Sequence, residues 1–167
     1  MKNSIRKGVI LSLILVFSTT GTALAATYVL GYSSVDSSKG IEWGGSTAYA
    51  TEWNAGIATW NAKSKVKISA DTIWTLEDVT VSDKYDKAVT WDGVWTYKGS
   101  CCRETIQLNS YYFGSYASAQ KQHVTTHELG HALGLGHSTL GQVMYYLSSS
   151  VTALGSQDNS DYNYLYP

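Results

Sequence analysis

The sequence predicts an α+β fold, because it combines apolar residues at helical spacing with short stretches in which apolar and polar residues alternate. Helical spacing is seen at Tyr49, Trp53, Ile57 and Trp60. Alternation is seen at Val66 and Ile68, and again at Ile106 and Leu108. No repeat, linker or low-complexity tract divides the 167 residues, which favours one domain after a leader.

The first residues have the composition of a secretory signal peptide. Three cations precede an apolar run at residues 9–17, and Ala23-Leu24-Ala25 offers a small-residue cleavage site. A membrane anchor would need about 20 apolar residues, and this run is shorter. We therefore predict a signal peptide at residues 1–25 and a secreted, extracellular domain at residues 26–167.

The helical stripe predicts a first long helix over residues 46–62. Ser46 can cap its N-terminus, and Gly56 can allow the helix to pack closely on a sheet. The alternating pairs named above predict strands. A hairpin is predicted where Val89-Thr90-Trp91 and Val94-Trp95-Thr96 flank Asp92-Gly93, a pair suited to a type I′ turn.

A second long helix is predicted over residues 115–133, and a short third helix over residues 157–165. The second helix carries histidines on one face, which we expect to point into a cleft. The candidate catalytic and metal-binding residues begin near the C-terminal end of this helix.

One segment, starting at His127, reads His-Glu-Leu-Gly-His-Ala-Leu-Gly-Leu-Gly-His. On a helix, His127 and His131 lie one above the other and can bind the same metal ion. Glu128 lies about 100° around the helix axis, which suits a general base acting on a water at the metal. The helix must end before His137 can join the site, and Gly134 can end it in the left-handed conformation.

Three histidine ligands leave one coordination position of a zinc ion open, which is typical of a catalytic rather than a structural site. The segment therefore predicts a zinc-dependent peptidase in which Glu128 is the base. Two other interpretations stay open: a secreted zinc-binding protein without peptidase activity, and a binding module in which the histidines are incidental.

His123 extends the same helical face by one turn. It lies about 12 Å along the helix from His131, whereas a Zn–N bond spans only about 2 Å, so both cannot bind one ion. We expect His123 to be a solvated or capping residue. The chain has only four histidines, so we predict a single zinc.

Composition excludes several partners. A net charge of −1 with 15% charged residues gives no basic field for nucleic acid or a membrane surface. We also predict no stable membrane insertion and a monomer, and the partner we expect is a protein or peptide substrate. The two cysteines, Cys101 and Cys102, are adjacent and cannot staple the fold. They form a strained ring, an intermolecular bridge or free thiols.

The extended histidine motif resembles that of the metzincins, and its surroundings resemble the matrixin branch. Ser138-Thr139 follows the third histidine, Met144 is a candidate for the Met-turn, and Ser156-Gln157-Asp158 leads to the closing Tyr164-Leu165-Tyr166-Pro167. The resemblance is strong over residues 106–167 and faint before them.

The resemblance implies a metzincin-like zincin domain: a twisted, mostly parallel mixed sheet, two long helices above the cleft and a small C-terminal subdomain with a short helix. It also implies that Met144 forms a hydrophobic floor beneath the zinc. A substrate is expected to pair with a sheet edge, with one side chain in a pocket lined by residues 145–154.

Three departures from the family matter. The interval from His137 to Met144 is one residue shorter than in animal matrixins, so substrate preference does not transfer. Tyr146 stands where proline is frequent, and it either approaches the metal or packs in the core or at the rim. No ligands for a second, structural zinc are visible. Calcium is an expectation by family analogy alone, since Asp78, Asp83, Asp86 and Asp92 have no EF-hand spacing.

Overall fold

The computed structural model describes residues 26–99 and 102–167, so the predicted signal peptide lies outside the described residues. The strands are β1 (Gly40–Gly45), β2 (Lys67–Ala70), β3 (Val79–Lys84), β4 (Gly93–Thr96) and β5 (Glu104–Asn109). The helices are α1 (Ala50–Asn61), α2 (Ser110–Phe113), α3 (Ser118–Ala132) and α4 (Ser156–Leu165). This arrangement confirms the predicted α+β class.

The five strands form one mixed sheet in the order β2-β1-β3-β5-β4. The first four strands of that order run parallel, and β4 pairs antiparallel with β5 at the edge. Alternation in β5 buries Ile106 and Leu108 on one face, as the sequence pattern predicts. Among residues 26–99 and 102–167, no strand pairs with the outer edge of β4.

The predicted hairpin around Asp92-Gly93 is wrong. Residues 87–92 form no strand, and the partner of β4 is β5, with Trp95 opposite Ile106. Asn109 explains the path of the loop, because its buried side-chain amide donates to the carbonyls of Asp86 and Trp91. A side chain distant in sequence therefore replaces the local turn that the dipeptide favours.

The first long helix is shorter than predicted. It begins at Ala50, with Tyr49 at the N-cap position, and Ser46 is still held to the sheet by a hydrogen bond from its N–H to the carbonyl of Val81. Ser46 is therefore not the cap. Asp83 restrains the connection by accepting hydrogen bonds from Thr47 and from the N–H of Ala48.

Helices α1 and α3 pack directly on each other, which corrects the expected role of Gly56. A Cβ at Gly56 would lie 3.1 Å from both Oγ1 of Thr125 and the backbone N of Thr126. This glycine therefore allows close packing of α1 against α3 and not against the sheet. The indole of Trp60 crosses the same contact and donates to the carbonyl of Thr126 at 2.8 Å. These contacts hold α3 rigidly over the core.

The C-terminal part is a small subdomain that ends in α4. Tyr162 of α4 is buried and stacks on Trp60 at a ring separation of 5.7 Å. Its hydroxyl oxygen accepts a hydrogen bond from the N–H of Val66 at 3.0 Å. The third predicted helix, over residues 157–165, is thus confirmed to within one residue. No helix among the described residues is long and apolar enough to cross a membrane.

Candidate metal centre

The C-terminal end of α3 forms a Schellman motif that redirects the chain. Gly134 has φ of +89°, and its N–H donates to the carbonyl of His131 at 2.8 Å. The N–H of Leu135 donates to the carbonyl of Gly130 at 2.9 Å, which completes the motif. The glycine thus ends the helix where the sequence predicts, and the chain turns back toward its own last turn.

This turn brings the three predicted ligand histidines together. His127, His131 and His137 each offer a ring nitrogen, and the three atoms lie within 4.8 Å of one another. The Nε2 atoms of His131 and His137 are 3.2 Å apart. His127 is buried and His137 is exposed, so the site opens to solvent on the side of His137.

Two backbone carbonyls orient the helical histidines. Nδ1 of His127 lies 2.9 Å from the carbonyl of Val143, and Nδ1 of His131 lies 2.8 Å from the carbonyl of Leu135. A carbonyl can only accept, so each Nδ1 carries the proton and each Nε2 presents a lone pair. This is the usual outer support of a metal-binding histidine.

Burial also keeps these rings neutral. Desolvation lowers the pKa of His127 to about 3 and that of His131 to about 4, and it lowers the pKa of His137 in the same direction. Metal ions bind the neutral imidazole, so no proton has to leave at neutral pH. Three neutral nitrogen donors with a solvent-facing opening fit zinc and a fourth, exchangeable ligand.

The four aspartates that lack EF-hand spacing also form no close group in the described residues. Asp78, Asp83, Asp86 and Asp92 make separate hydrogen bonds with backbone or side-chain groups near them. Within residues 26–99 and 102–167, the histidine triad is the one group of three or more metal-ligating side chains at such close range. Calcium stays a prediction by family analogy.

Glu128 lies in the wall of the same cleft and is buried. Its Oε2 accepts a hydrogen bond from the N–H of Trp95 at 2.6 Å, which fixes the carboxyl group against β4. Burial raises the pKa of Glu128 to about 8. A dication on the three histidines would lower this pKa again, because a nearby positive charge favours the carboxylate.

Gly93 makes the approach of β4 to this carboxylate possible. A Cβ at Gly93 would lie 2.7 Å from Cγ1 of Val124 and 2.8 Å from Cγ of Glu128. The sequence reasoning assigned Gly93 to a turn and missed this role. The available signal was a glycine within an otherwise β-branched and aromatic stretch, which often marks close approach of another group.

The turn at Met144 lies directly beneath α3. Met144 is buried, and its carbonyl accepts from the N–H of Ser138 at 2.8 Å, which ties the turn to the residue after His137. Asp158 holds the other side: its carboxylate accepts from the N–H groups of Val143 at 2.8 Å and Met144 at 3.2 Å. Asp158 is fully buried, and sequence reasoning recognised its motif without assigning this role.

The expectation that His123 is solvated or capping is wrong, because His123 is 1% exposed and its Nδ1 lies 2.7 Å from the carbonyl of Val151. Tyr146 is exposed and lines the cleft, with its ring centre 6.4 Å from that of His137. An approach of Tyr146 to a bound metal stays a prediction. Cys101 lies outside the described residues, and Cys102 is exposed.

These residues surround a cleft of about 480 Å³. Strand β4 forms one wall and the segment from Tyr145 to Ser148 forms the opposite wall, with the histidines and Glu128 between them. The predicted lining of a pocket by residues 145–154 therefore holds for the first part of that segment.

Three comparisons relate this chain to known proteins. A solved structure described as the "GM1 bound form of the ECX AB5 holotoxin" is similar, with a TM-score of 0.46 and 14% identity over 76% of this chain and 68% of that chain. No curated protein matches this chain. The family model described as Matrixin, of the M10 peptidases, matches residues 12–167. Since this match spans nearly the whole chain, including the histidine motif and the Met144 turn, the chain belongs to the matrixin family of metallopeptidases.

Proposed function

We propose that the protein is a secreted zinc-dependent endopeptidase. The observation that carries the proposal is the convergence of His127, His131 and His137 within 4.8 Å, beside the buried carboxyl group of Glu128. The roles of these four residues are part of the proposal. Export is supported by the leader-like composition of residues 1–25.

The three histidines would hold one zinc ion through Nε2. When bound there, zinc polarises a peptide carbonyl and makes a water more acidic. Glu128 takes the proton of the attacking water and delivers it to the leaving amine nitrogen, so that the peptide C–N bond breaks and an acid and an amine result. The fixed position against β4 keeps this carboxylate aimed at the cleft.

The outer edge of β4 supports an extended substrate, with the N–H of Trp95 already donated to Glu128. Edge strands bind peptides by adding a strand through backbone hydrogen bonds, which is largely independent of the substrate sequence. β4 is the outermost strand of the sheet and lines the cleft through Gly93, Val94 and Trp95. A protein chain that is locally unfolded is therefore the expected substrate, bound by one copy of the enzyme.

The test is cleavage of an unstructured protein such as casein by the purified protein, with zinc measured on the same sample. We expect one zinc per chain and cleavage that a chelator abolishes. Glu128→Gln should keep zinc and lose nearly all hydrolysis, because the amide cannot accept the proton of water. Glu52→Gln, a change on α1 outside the cleft, is the matched control and should cleave like the wild type.

Two results would contradict the proposal. Normal cleavage by Glu128→Gln would remove this residue from the mechanism. Stoichiometric zinc without cleavage of casein or of several peptide mixtures would favour the zinc-binding protein without peptidase activity.

Export has its own test. Detection of the protein in the medium with residues 1–25 removed would support export, and a cell-associated protein that keeps those residues would oppose it.

A further inference from the structure

His123 lines the cleft next to the metal site, and one of its ring nitrogens, Nε2, has no hydrogen-bond partner among the described residues. It precedes His127 by one helical turn, and the two ring centres are 6.2 Å apart. Nε2 of His123 is buried and has no hydrogen-bond partner within the described part of the chain. A buried polar atom without a partner destabilises the folded state, so such atoms are rare and this one needs an explanation.

The other ring nitrogen fixes the chemistry of this atom. Nδ1 lies 2.7 Å from the carbonyl of Val151 and 3.3 Å from Oγ of Ser149. Because the carbonyl of Val151 can only accept, Nδ1 carries the proton. In the neutral ring, Nε2 is then a pure acceptor, and it can pair only with a group that donates.

The surroundings favour a side chain with an apolar body and a polar tip. Val124 and Leu147 contribute apolar surface to the cleft, whereas Tyr116 and Ser148 place hydroxyl groups in it, 3.4 Å from each other. The Tyr116 hydroxyl already donates to Oδ2 of Asp92 at 3.2 Å. Tyrosine combines a flat apolar ring with a terminal O–H donor, which suits such a mixed environment.

We propose that His123 is a specificity-determining residue, whose Nε2 accepts a hydrogen bond from the hydroxyl group of a substrate tyrosine beside the cleaved bond. This inference rests on the proposed peptidase activity and names a preferred side chain for it. A site built to bond a hydroxyl discriminates against the analogue that lacks it, because the buried acceptor is then left unpaired. Phenylalanine is that analogue.

The test compares peptides that differ only by tyrosine or phenylalanine at each of the two positions flanking the cleaved bond. At one position, we expect the wild type to show a kcat/KM about tenfold higher for tyrosine, as one added hydrogen bond to a buried acceptor implies. The readout is the ratio of two kcat/KM values, so a general loss of activity cancels.

Two substitutions of the same residue separate recognition from support of the loop. In His123→Asn, the amide can still donate to Val151, but no atom replaces Nε2, so the tyrosine preference should fall to about unity. In His123→Gln, the amide reaches the position of Nε2 and can accept, so part of the preference should remain. A purely structural role would lower both kcat/KM values together and leave the ratio unchanged.

The outcomes distinguish this inference from the function on which it rests. Cleavage of both peptides with no tyrosine preference at either position overturns the role of His123 and leaves the peptidase in place. An unchanged preference in His123→Asn also overturns it. Binding of zinc without cleavage of any peptide overturns the peptidase and this inference together.

Discussion

Gly130 and Met144 touch so closely that no side chain other than hydrogen fits between them. A Cβ at Gly130 would lie 2.3 Å from Sδ of Met144 and 3.0 Å from Cζ2 of Trp60. The glycine between the two helical histidines therefore sets how near the Met144 turn approaches the metal site. Any larger residue has to displace the side chain of Met144 or push this turn away from α3.

Gly130→Ala should destabilise the protein, although alanine is the better helix former. The gain in helix propensity is about 1 kcal/mol, whereas overpacking a buried contact of this kind costs about 1–3 kcal/mol. Urea unfolding should show a net loss, together with weaker zinc binding. Gly114→Ala is the control, because its Cβ meets nothing nearer than 3.5 Å. Equal stability of Gly130→Ala and the wild type would show that Met144 moves without cost.

Gly93→Ala should reduce activity more than stability. The added methyl group would press on Cγ of Glu128 at 2.8 Å and displace the carboxyl group from its position against β4. We expect kcat/KM for casein-derived peptides to fall about 100-fold, since a shift of about 1 Å in a reacting group has effects of this size. Zinc content should stay at one per chain. Loss of zinc instead would place the damage at the histidines.

Asp158→Ala should loosen the Met144 turn. The carboxylate accepts three backbone N–H groups, from Val143, Met144 and Gly155, and it is fully buried. Leaving these donors without partners should cost about 3 kcal/mol or more of unfolding free energy. The exposed Asp71→Ala is the comparison and should stay within about 0.5 kcal/mol of the wild type. A similar effect of both changes would contradict the anchoring role.

Removal of zinc should destabilise the wild type and leave His137→Ala unaffected. A ligand present at 100 times its dissociation constant stabilises the folded state by about 2.7 kcal/mol, and a chelator removes this term. His137→Ala lacks one of three donors and should contain no zinc and cleave nothing. Thermal unfolding with and without chelator measures the difference. An equal chelator effect in both proteins would show that His137 does not hold the metal.

Tyr166 should make stability fall at alkaline pH. Burial raises the pKa of its phenol to about 12, and its hydroxyl donates to the carbonyl of Leu133 at the end of α3. The unfolded chain ionises near pH 10, so this contribution is complete below about pH 10 and is lost as pH rises toward 12. Unfolding free energies at pH 8 and pH 11 test the slope.

Tyr166→Phe separates the contribution of the hydrogen bond to Leu133 from that of the ionisation of the phenol. It should lose about 1 kcal/mol at pH 8, where only the hydrogen bond matters, and show a smaller decline toward pH 11. Buried tyrosines elsewhere, such as Tyr162, also have a raised pKa, so part of the decline remains. An unchanged slope would show that Tyr166 does not contribute to alkaline unfolding.

The metal site could be predicted because its geometry is local. His127, His131 and Gly134 are related by helix geometry and by the one backbone conformation that ends the helix, and both depend on near neighbours in sequence. The short helix at the C-terminus was predictable for the same reason. Helix geometry and the turn at Gly134 were therefore enough to predict the metal-binding residues without knowledge of any tertiary contact.

The parts that were missed depend on residues distant in sequence. Strands β1 and β3 contain glycine, serine and charged residues, and they become strands by pairing at the centre of a parallel sheet. The hairpin was wrong because Asn109 directs the loop before β4. The prediction for His123 was wrong because its hydrogen-bond partner, Val151, belongs to a loop that the helix pattern does not specify.

The support of His127 by the carbonyl of Val143 has a consequence for the timing of activity. During synthesis the chain emerges from its N-terminus, so all three histidines leave the ribosome before Val143, and well before the Asp158 that holds it. A nascent chain therefore has its metal-binding groups before it has the groups that aim them. We therefore expect the proposed peptidase activity to appear only after the last helix has docked, when both supports of the site are in place.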